Sequence, residues 1–310
     1  MLDYWRQLGY TQSASGQLSA TAAEALYGHH SGLESLLLEH NGCKVANGGY
    51  VRLMVWDRLY NVGAGATRPL TPGSGWMGIY TRDILSVHDA YTDSATHGDQ
   101  PWWISNVVRA PLQWPPPHSD FFTPFVGLRE MLALTDFARH AFIQRAGFDR
   151  PGFGTFDTSL PYQNTEGTHA NIVQPVGSFN SSFYKSVLGW ETAPFGDAED
   201  IGDKPATAEV LAVAPGQMAR MERLKSPHSP TGMLQVYSPH TSPHPPVDCR
   251  PGSLGLSMYS VATAELEALC ERADRHGASW NSDIAVDEFG RDCCVFTAPD
   301  GFSWSAIRHV

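Results

Sequence analysis

The chain has 310 residues, 42% of them hydrophobic and 17% charged, and a formal net charge of −11. This length predicts two domains of ordinary size. The acidic balance without a basic run argues against a nucleic-acid partner, and no apolar run approaches the roughly 20 residues that cross a bilayer, so no membrane partner is expected. We therefore expect a small-molecule ligand.

The five cysteines are Cys43, Cys249, Cys270, Cys293 and Cys294, which form neither a CxxC pair nor an even set. Reduced thiols are a simpler prediction than a disulfide framework. The adjacent pair Cys293-Cys294 is predicted to lie in a strand, with one side chain on each face. The first ten residues lack the apolar core of a secretory signal. Together these features predict a soluble, cytoplasmic protein.

Three stretches of the first half recur in the second half, in the same order. They pair LDYWRQLGY (2–10) with SFYKSVLGW (182–190), GGYVRLMVW (48–56) with TGMLQVY (231–237), and PGSGWMGIY (72–80) with PGSLGLSMY (251–259). The offsets are 180, 183 and 179 residues, which indicates a duplicated unit of about half the chain. We predict an N-terminal domain over residues 1–150, a linker over 151–167 and a C-terminal domain over 168–310.

The clearest local pattern begins the second half. An apolar strand over His169–Val176 stops at Gly177, and a short helix with one apolar face follows until Gly189 ends it. Near the C-terminus, DCCVFTAPDGFSWSAI (292–307) predicts two strands joined by a Pro-Asp-Gly turn.

The order of His169, the Phe183-Tyr184 pair and Leu188-Gly189, together with the C-terminal hairpin, resembles the vicinal oxygen chelate superfamily. This superfamily includes glyoxalase, bleomycin-resistance proteins and extradiol dioxygenases. The resemblance implies an α+β fold class, with tandem βαβββ modules forming two cupped, open, mixed sheets and helices outside. Two modules are expected in each half. The first module begins almost inside its helix, so its first strand is expected to be missing, with residues 152–160 covering the vacant edge.

In metal-dependent members of the superfamily, His and Glu or Gln side chains from the first and last strands of two modules hold one divalent ion. The resemblance places His169 and Gln235 at two such positions of the third module. Leu256 and Ser305 stand at the matching positions of the fourth, and Arg52 stands at the position of Gln235 in the first half. Open metal sites need about three protein ligands. No cofactor is therefore predicted; if a divalent metal binds, His169 and Gln235 would hold it.

The same comparison supplies candidate site residues. His169 is predicted to be a catalytic hydrogen-bond donor or general base, with Gln235 as its orienting neighbour, because an imidazole of unperturbed pKa about 6.5 exchanges protons near neutrality. The alternative is a strand histidine that is hydrogen-bonded to a neighbour. Tyr237 and Tyr259 are predicted to line the same ligand site.

A second candidate site lies in the first half. Arg52 is a candidate to bind a ligand carboxylate, with Trp56 and Trp76 as aromatic walls. The alternative for Arg52 is an outward-facing arginine on an edge strand.

Three functions remain open on the sequence alone. The first is an enzyme that acts on a small aromatic or carbonyl-bearing metabolite, with lyase, isomerase or ring-cleavage chemistry and without a complete metal site. The second is a binding or sequestering protein of the resistance type. The third is a metal-dependent extradiol dioxygenase. A homodimer is compatible with each of them.

Overall fold

The computed structural model describes residues 1–43, 48–112, 124–150, 152–194, 197–229, 231–242 and 244–309. The helices of this described part are α1 (Leu2–Gln7), α2 (Ala20–Tyr27), α3 (Ile84–His97), α4 (Ser182–Leu188), α5 (Pro205–Val210) and α6 (Leu266–Arg275). A single turn of 3-10 helix, Ile201–Asp203, precedes α5. The first strands are β1 (Tyr10–Leu18), β2 (Leu33–His40), β3 (Tyr50–Trp56), β4 (Gly75–Thr81), β5 (Trp103–Ile104), β6 (Val108–Pro111), β7 (Gly127–Leu134), β8 (Arg139–Ala146) and β9 (Asn164–Val173). The later strands are β10 (Glu191–Thr192), β11 (Glu199–Asp200), β12 (Ala219–Lys225), β13 (Met233–Pro239), β14 (Met258–Thr263), β15 (Trp280–Asn281), β16 (Ala285–Val286), β17 (Asp292–Thr297) and β18 (Ser303–Arg308).

These strands form three open sheets. The first has the order β1-β2-β3, and the third has the order β14-β18-β17-β15, with β16 beside β17. The second and largest sheet has ten strands in the order β10-β12-β13-β9-β4-β8-β7-β5, with β11 beside β12 and β6 beside β7. The first and last strands of a module lie parallel to each other, as in β4 with β8, β9 with β13, and β14 with β18. The predicted α+β class with βαβββ modules is confirmed.

Strand pairing crosses the expected division of the chain. The central contact of the ten-stranded sheet joins β4, from the second module, to β9, from the third, in antiparallel pairing. The expectation that the third and fourth modules share a sheet is therefore wrong. The fourth module forms the third sheet, and the first module forms the three-stranded sheet. In the described residues no strand pairs with both β3 and β14. The strands of the first and fourth modules therefore form two separate sheets, and the total is three rather than two.

The segment 152–160 does not pair with β3, so the prediction that it covers that edge is wrong. Phe153 instead joins a buried cluster with Tyr80 and Met233 on the ten-stranded sheet, and its carbonyl accepts a hydrogen bond from Arg145 at 2.7 Å. Apolar burial and this charge-assisted hydrogen bond hold the segment away from β3.

The helices α3 and α4 pack on one face of the ten-stranded sheet, which we call its outer face; the opposite face, against which α5 packs, is the inner face. Apolar residues of α3 pack on Ile79 and Phe142, while residues of α4 share a core with α6, β17 and β18. The helix α4 ends at Gly189, whose φ of 66° is left-handed, as the sequence predicts. The described residues contain no helix that is long and apolar enough to cross a membrane.

The cysteines of β17 point to opposite faces, as predicted. Cys293 packs among residues of α2, β2 and β3, whereas Cys294 packs in the core beneath α6. The prediction of reduced thiols throughout is wrong, because Cys294 forms a disulfide with Cys270 of α6. This disulfide closes a loop within the fourth module, where the buried helix face brings the two residues together.

Candidate functional site

Four of the predicted site residues meet on the inner face of the ten-stranded sheet. His169 of β9 lies opposite Met233 of β13, and Gln235 lies two residues further along the same strand face. The hydroxyl of Tyr237 donates a hydrogen bond to Oε1 of Gln235 at 2.5 Å. The ring of Tyr237 packs against Trp76 of β4 with a centroid distance of 5.2 Å. Parallel pairing of β9 with β13 thus builds one surface from His169, Gln235, Tyr237 and Trp76.

His169 is buried at the centre of this surface. Its Nδ1 lies 3.1 Å from Oγ1 of Thr168, and its ring contacts Tyr80 at a centroid distance of 6.2 Å. Burial, with a smaller contribution from the charge of Arg223, lowers the pKa of His169 to about 3. The imidazole is therefore neutral at physiological pH. A neutral imidazole can donate or accept a hydrogen bond, but it is a weak general base, so the premise of an unperturbed pKa does not hold here.

Arg223 and Glu130 complete the inner face, and sequence reasoning missed both. Arg223 of β12 lies opposite Gln235 in the strand register, and its Nη1 is 3.3 Å from Oε1 of Glu199 on β11. Glu130 of β7 lies opposite Ile143, which in turn lies opposite Tyr80. Since paired residues share a sheet face, Glu130 and Arg223 project to the same side as Gln235.

The electrostatics of the inner face follow from this placement. Burial raises the pKa of Glu130, and the positive charge of Arg223 partly opposes that shift. The same charge acts on Tyr237, although burial still raises the pKa of that phenol. In ARMERLK (219–225), Ala219 and Met221 alternate with Arg220 and Glu222, so the period of two places Arg223 on the face of Met221; this spacing was the available sequence signal.

Tyr259 takes a different place from the other candidates. It belongs to β14 in the third sheet, where its ring stacks on Phe302 at 5.2 Å. Its hydroxyl lies 2.9 Å from the carbonyl oxygen of Trp76 and 3.0 Å from that of Asn171. Tyr259 thus links the third sheet to the backbone of β4 and β9 by hydrogen bonds. Its hydroxyl group is already hydrogen-bonded to protein atoms.

Arg52 and Trp56 lie on β3, away from this surface. The guanidinium of Arg52 donates to the hydroxyl of Tyr27 at 2.7 Å and lies 3.5 Å from Asp287 and 3.6 Å from Glu288. Its side chain is only 8% exposed, so the alternative prediction of an outward-facing arginine is wrong. Trp56 packs in the core between α2 and β17. The carboxylates beside Arg52 already occupy the position where a ligand carboxylate was predicted.

The residues at the centre of the ten-stranded sheet do not fit the metal site of the superfamily. Gly78 lies opposite His169, and Ile143 occupies the last strand of the second module, so neither supplies a donor atom. Ser305 and Leu256 belong to the fourth module and contribute nothing to this sheet. Within the described ranges, no three His, Cys, Asp or Glu side chains are grouped as metal ligands. His169 and Gln235 alone fall short of the three ligands that open sites use.

Solved structures share this architecture along nearly the whole chain. A single-substitution variant of glyoxalase I from Zea mays gives a TM-score of 0.54 at 11% identity, covering 99% of this chain and 88% of that one. The chain has the vicinal oxygen chelate fold. Glyoxalase I from Zea mays gives 0.52 at 14% identity, covering 99% and 86%, and a dioxygenase-like protein from Bacillus subtilis gives 0.54 at 9% identity, covering 99% and 79%.

No protein-family model matches the sequence, and no curated protein matches it. At these low identities, the likeness to vicinal oxygen chelate proteins establishes the fold alone. The reaction has to be inferred from the side chains of the inner face.

Proposed function

We propose that this chain binds a small aromatic or carbonyl-bearing metabolite on the inner face of the ten-stranded sheet and promotes proton transfer of the lyase or isomerase type. The observation that carries the proposal is the common orientation of Glu130, Arg223 and Gln235 on that face. A carboxyl, a guanidinium and an amide are the groups needed to move a proton and to hold an oxygen that gains negative charge.

Each group has a role that its surroundings support. Arg223 and Gln235 are placed to bind the carbonyl oxygen of the ligand, since both carry N–H donors on the inner face. Glu130 exchanges the proton, because its raised pKa brings a carboxyl closer to neutrality. His169 acts as a neutral hydrogen-bonding group, and Trp76 and Tyr237 supply the aromatic wall.

A specific observation favours a second function, in which the chain holds its ligand without changing it. The inner face is covered at both ends by the chain itself. Val210 and Leu211, from α5 and the residue after it, pack against Trp76 and Tyr237, and Phe153 covers the end near Tyr80. Such coverage excludes water and restricts motion, which suits retention of a bound molecule. The donor set gives no support to a metal-dependent dioxygenase.

Tryptophan fluorescence with a set of aromatic and carbonyl metabolites, followed by a turnover assay on each binder, tests both functions. For an enzyme, Glu130→Gln should abolish turnover and keep affinity within a few-fold, whereas Arg223→Gln should weaken binding. Glu191→Gln, an exposed carboxylate change on β10, is the matched control. Binders that are never turned over would favour the holding function. Binding that survives Arg223→Gln and His169→Ala but is lost in Arg52→Ala would place the site elsewhere.

A further inference from the structure

A separate cavity of about 180 Å³ lies at the end of the ten-stranded sheet where β13 terminates. Its walls come from the loop before β4, the residues after α5 and the loop after β13. The floor is apolar: Leu70, Leu211 and Val213 belong to the cluster that contains Trp76 and Tyr237. At about 30 Å³ per liquid water molecule, the cavity has room for about six waters, or for one small organic molecule.

Three nitrogen-bearing side chains, those of Arg68, Gln217 and His244, line this apolar cavity. Arg68 is exposed, and within the described part of the chain its guanidinium makes no hydrogen bond or ion pair. Nε2 of His244 is shielded from solvent and likewise has no hydrogen-bond partner among the described residues. Arg68 is therefore the charged side chain whose N–H donors a ligand in the cavity can reach.

The wall contributed by the residues after α5 is held in a defined shape. Ala212 has a left-handed φ of 52°, which is uncommon for a residue with a Cβ. Its N–H donates to the carbonyl of Glu209 at 3.0 Å, and the N–H of Val213 donates to that of Ala208 at 2.8 Å. These bonds fix the wall before any ligand arrives, which lowers the entropic cost of binding.

The cavity is distinct from the surface that carries Glu130 and Arg223. Gln235, which pairs with Arg223, lies four residues before Pro239 on β13, a separation of about 13 Å at the usual rise of a strand. The packed rings of Trp76 and Tyr237 lie between the two places. A ligand in the cavity would therefore contact neither Gln235 nor Arg223.

We propose that this cavity binds a small organic carboxylate with a short apolar or aromatic body. The carboxylate is bound by the guanidinium of Arg68, and the body packs on Leu70, Leu211 and Val213. Arginine matches a carboxylate with two parallel N–H donors, and the apolar floor favours a hydrocarbon body over an inorganic anion.

Isothermal titration calorimetry of the full chain with benzoate tests the proposal, with benzamide as the uncharged comparison. Benzoate is expected to bind at a single site, with benzamide weaker by about tenfold or more because it forms no charge-assisted bond to Arg68. Arg68→Gln should weaken benzoate binding by about tenfold or more, because it removes the charged donor. Ala214→Phe, which adds bulk to the wall, should abolish binding.

Arg275→Gln is the matched control, because it removes an exposed arginine charge from α6. It should leave benzoate affinity unchanged. The proposal is overturned if benzoate shows no saturable binding, if Arg68→Gln binds it as the parent does, or if Arg223→Gln abolishes binding while Arg68→Gln does not. The last outcome would assign the carboxylate to the inner face.

Discussion

The imidazole of His169 lies directly over Gly78, at the centre of the pairing between β4 and β9. A Cβ at position 78 would lie 1.8 Å from Cε1 of the ring. The glycine therefore makes room for the histidine, and the two positions must be considered together.

Gly78→Ala is expected to lower the free energy of unfolding by about 1–3 kcal/mol, because overpacking a filled core forces side chains and backbone apart. Urea denaturation measures the change. The same substitution in a His169→Ala background should cost clearly less, since the clashing ring is gone. Equal costs in the two backgrounds would show that the ring is not what limits position 78.

Arg52→Met is expected to destabilise the fold by about 3 kcal/mol or more, because it leaves the carboxylates of Asp287 and Glu288 buried with less compensation. Arg6→Met breaks an exposed pair with Asp3 and serves as the control, with an expected change below about 1 kcal/mol. Chemical denaturation of both variants compares them. A near-zero effect of Arg52→Met would mean that water reaches these carboxylates.

The stability of the protein should fall as the pH decreases from about 6.5 towards 4. Burial lowers the pKa of His169 to about 3, so the unfolded chain takes up the proton first and the native state loses stability as acid is added. Above about pH 6.5, His169 is neutral in both the folded and the unfolded chain, so it adds no pH dependence. Below that pH, its protonation in the unfolded chain lowers the free energy of unfolding by about 1.4 kcal/mol for each pH unit. His169→Gln should therefore show a shallower pH dependence of unfolding than the parent, and parallel curves would contradict the lowered pKa.

Tyr259→Phe is expected to cost about 1–3 kcal/mol, because it leaves the carbonyl oxygens of Trp76 and Asn171 without the phenolic donor. Hydrogen exchange should show faster opening of β4 and β9 than in the parent. Tyr50→Phe removes a hydroxyl from a residue that is 42% exposed and should leave exchange in these strands unchanged. Unchanged protection of β4 and β9 in Tyr259→Phe would show that the third sheet is held by apolar packing alone.

Local sequence patterns predicted much of the fold. The end of α4 at Gly189 and the two faces of Cys293 and Cys294 follow from periodicities within single elements, whereas the shared face of His169 and Gln235 depends on the register between β9 and β13. A left-handed glycine or an alternating strand is specified by neighbouring residues, so it can be recognised without knowing the rest of the chain.

The sequence by itself thus determined the repeat, the βαβββ order and the residue types that the strands present. Only the tertiary structure decided that β4 pairs with β9. A strand edge presents the same backbone groups to any partner, so side-chain packing between distant modules selects the partner. That pairing buried His169 and lowered its pKa. It also brought Glu130 from the second module onto the same face as Arg223 from the third. These two residues are 93 positions apart in the chain, and their side chains share an environment only when the sheet forms.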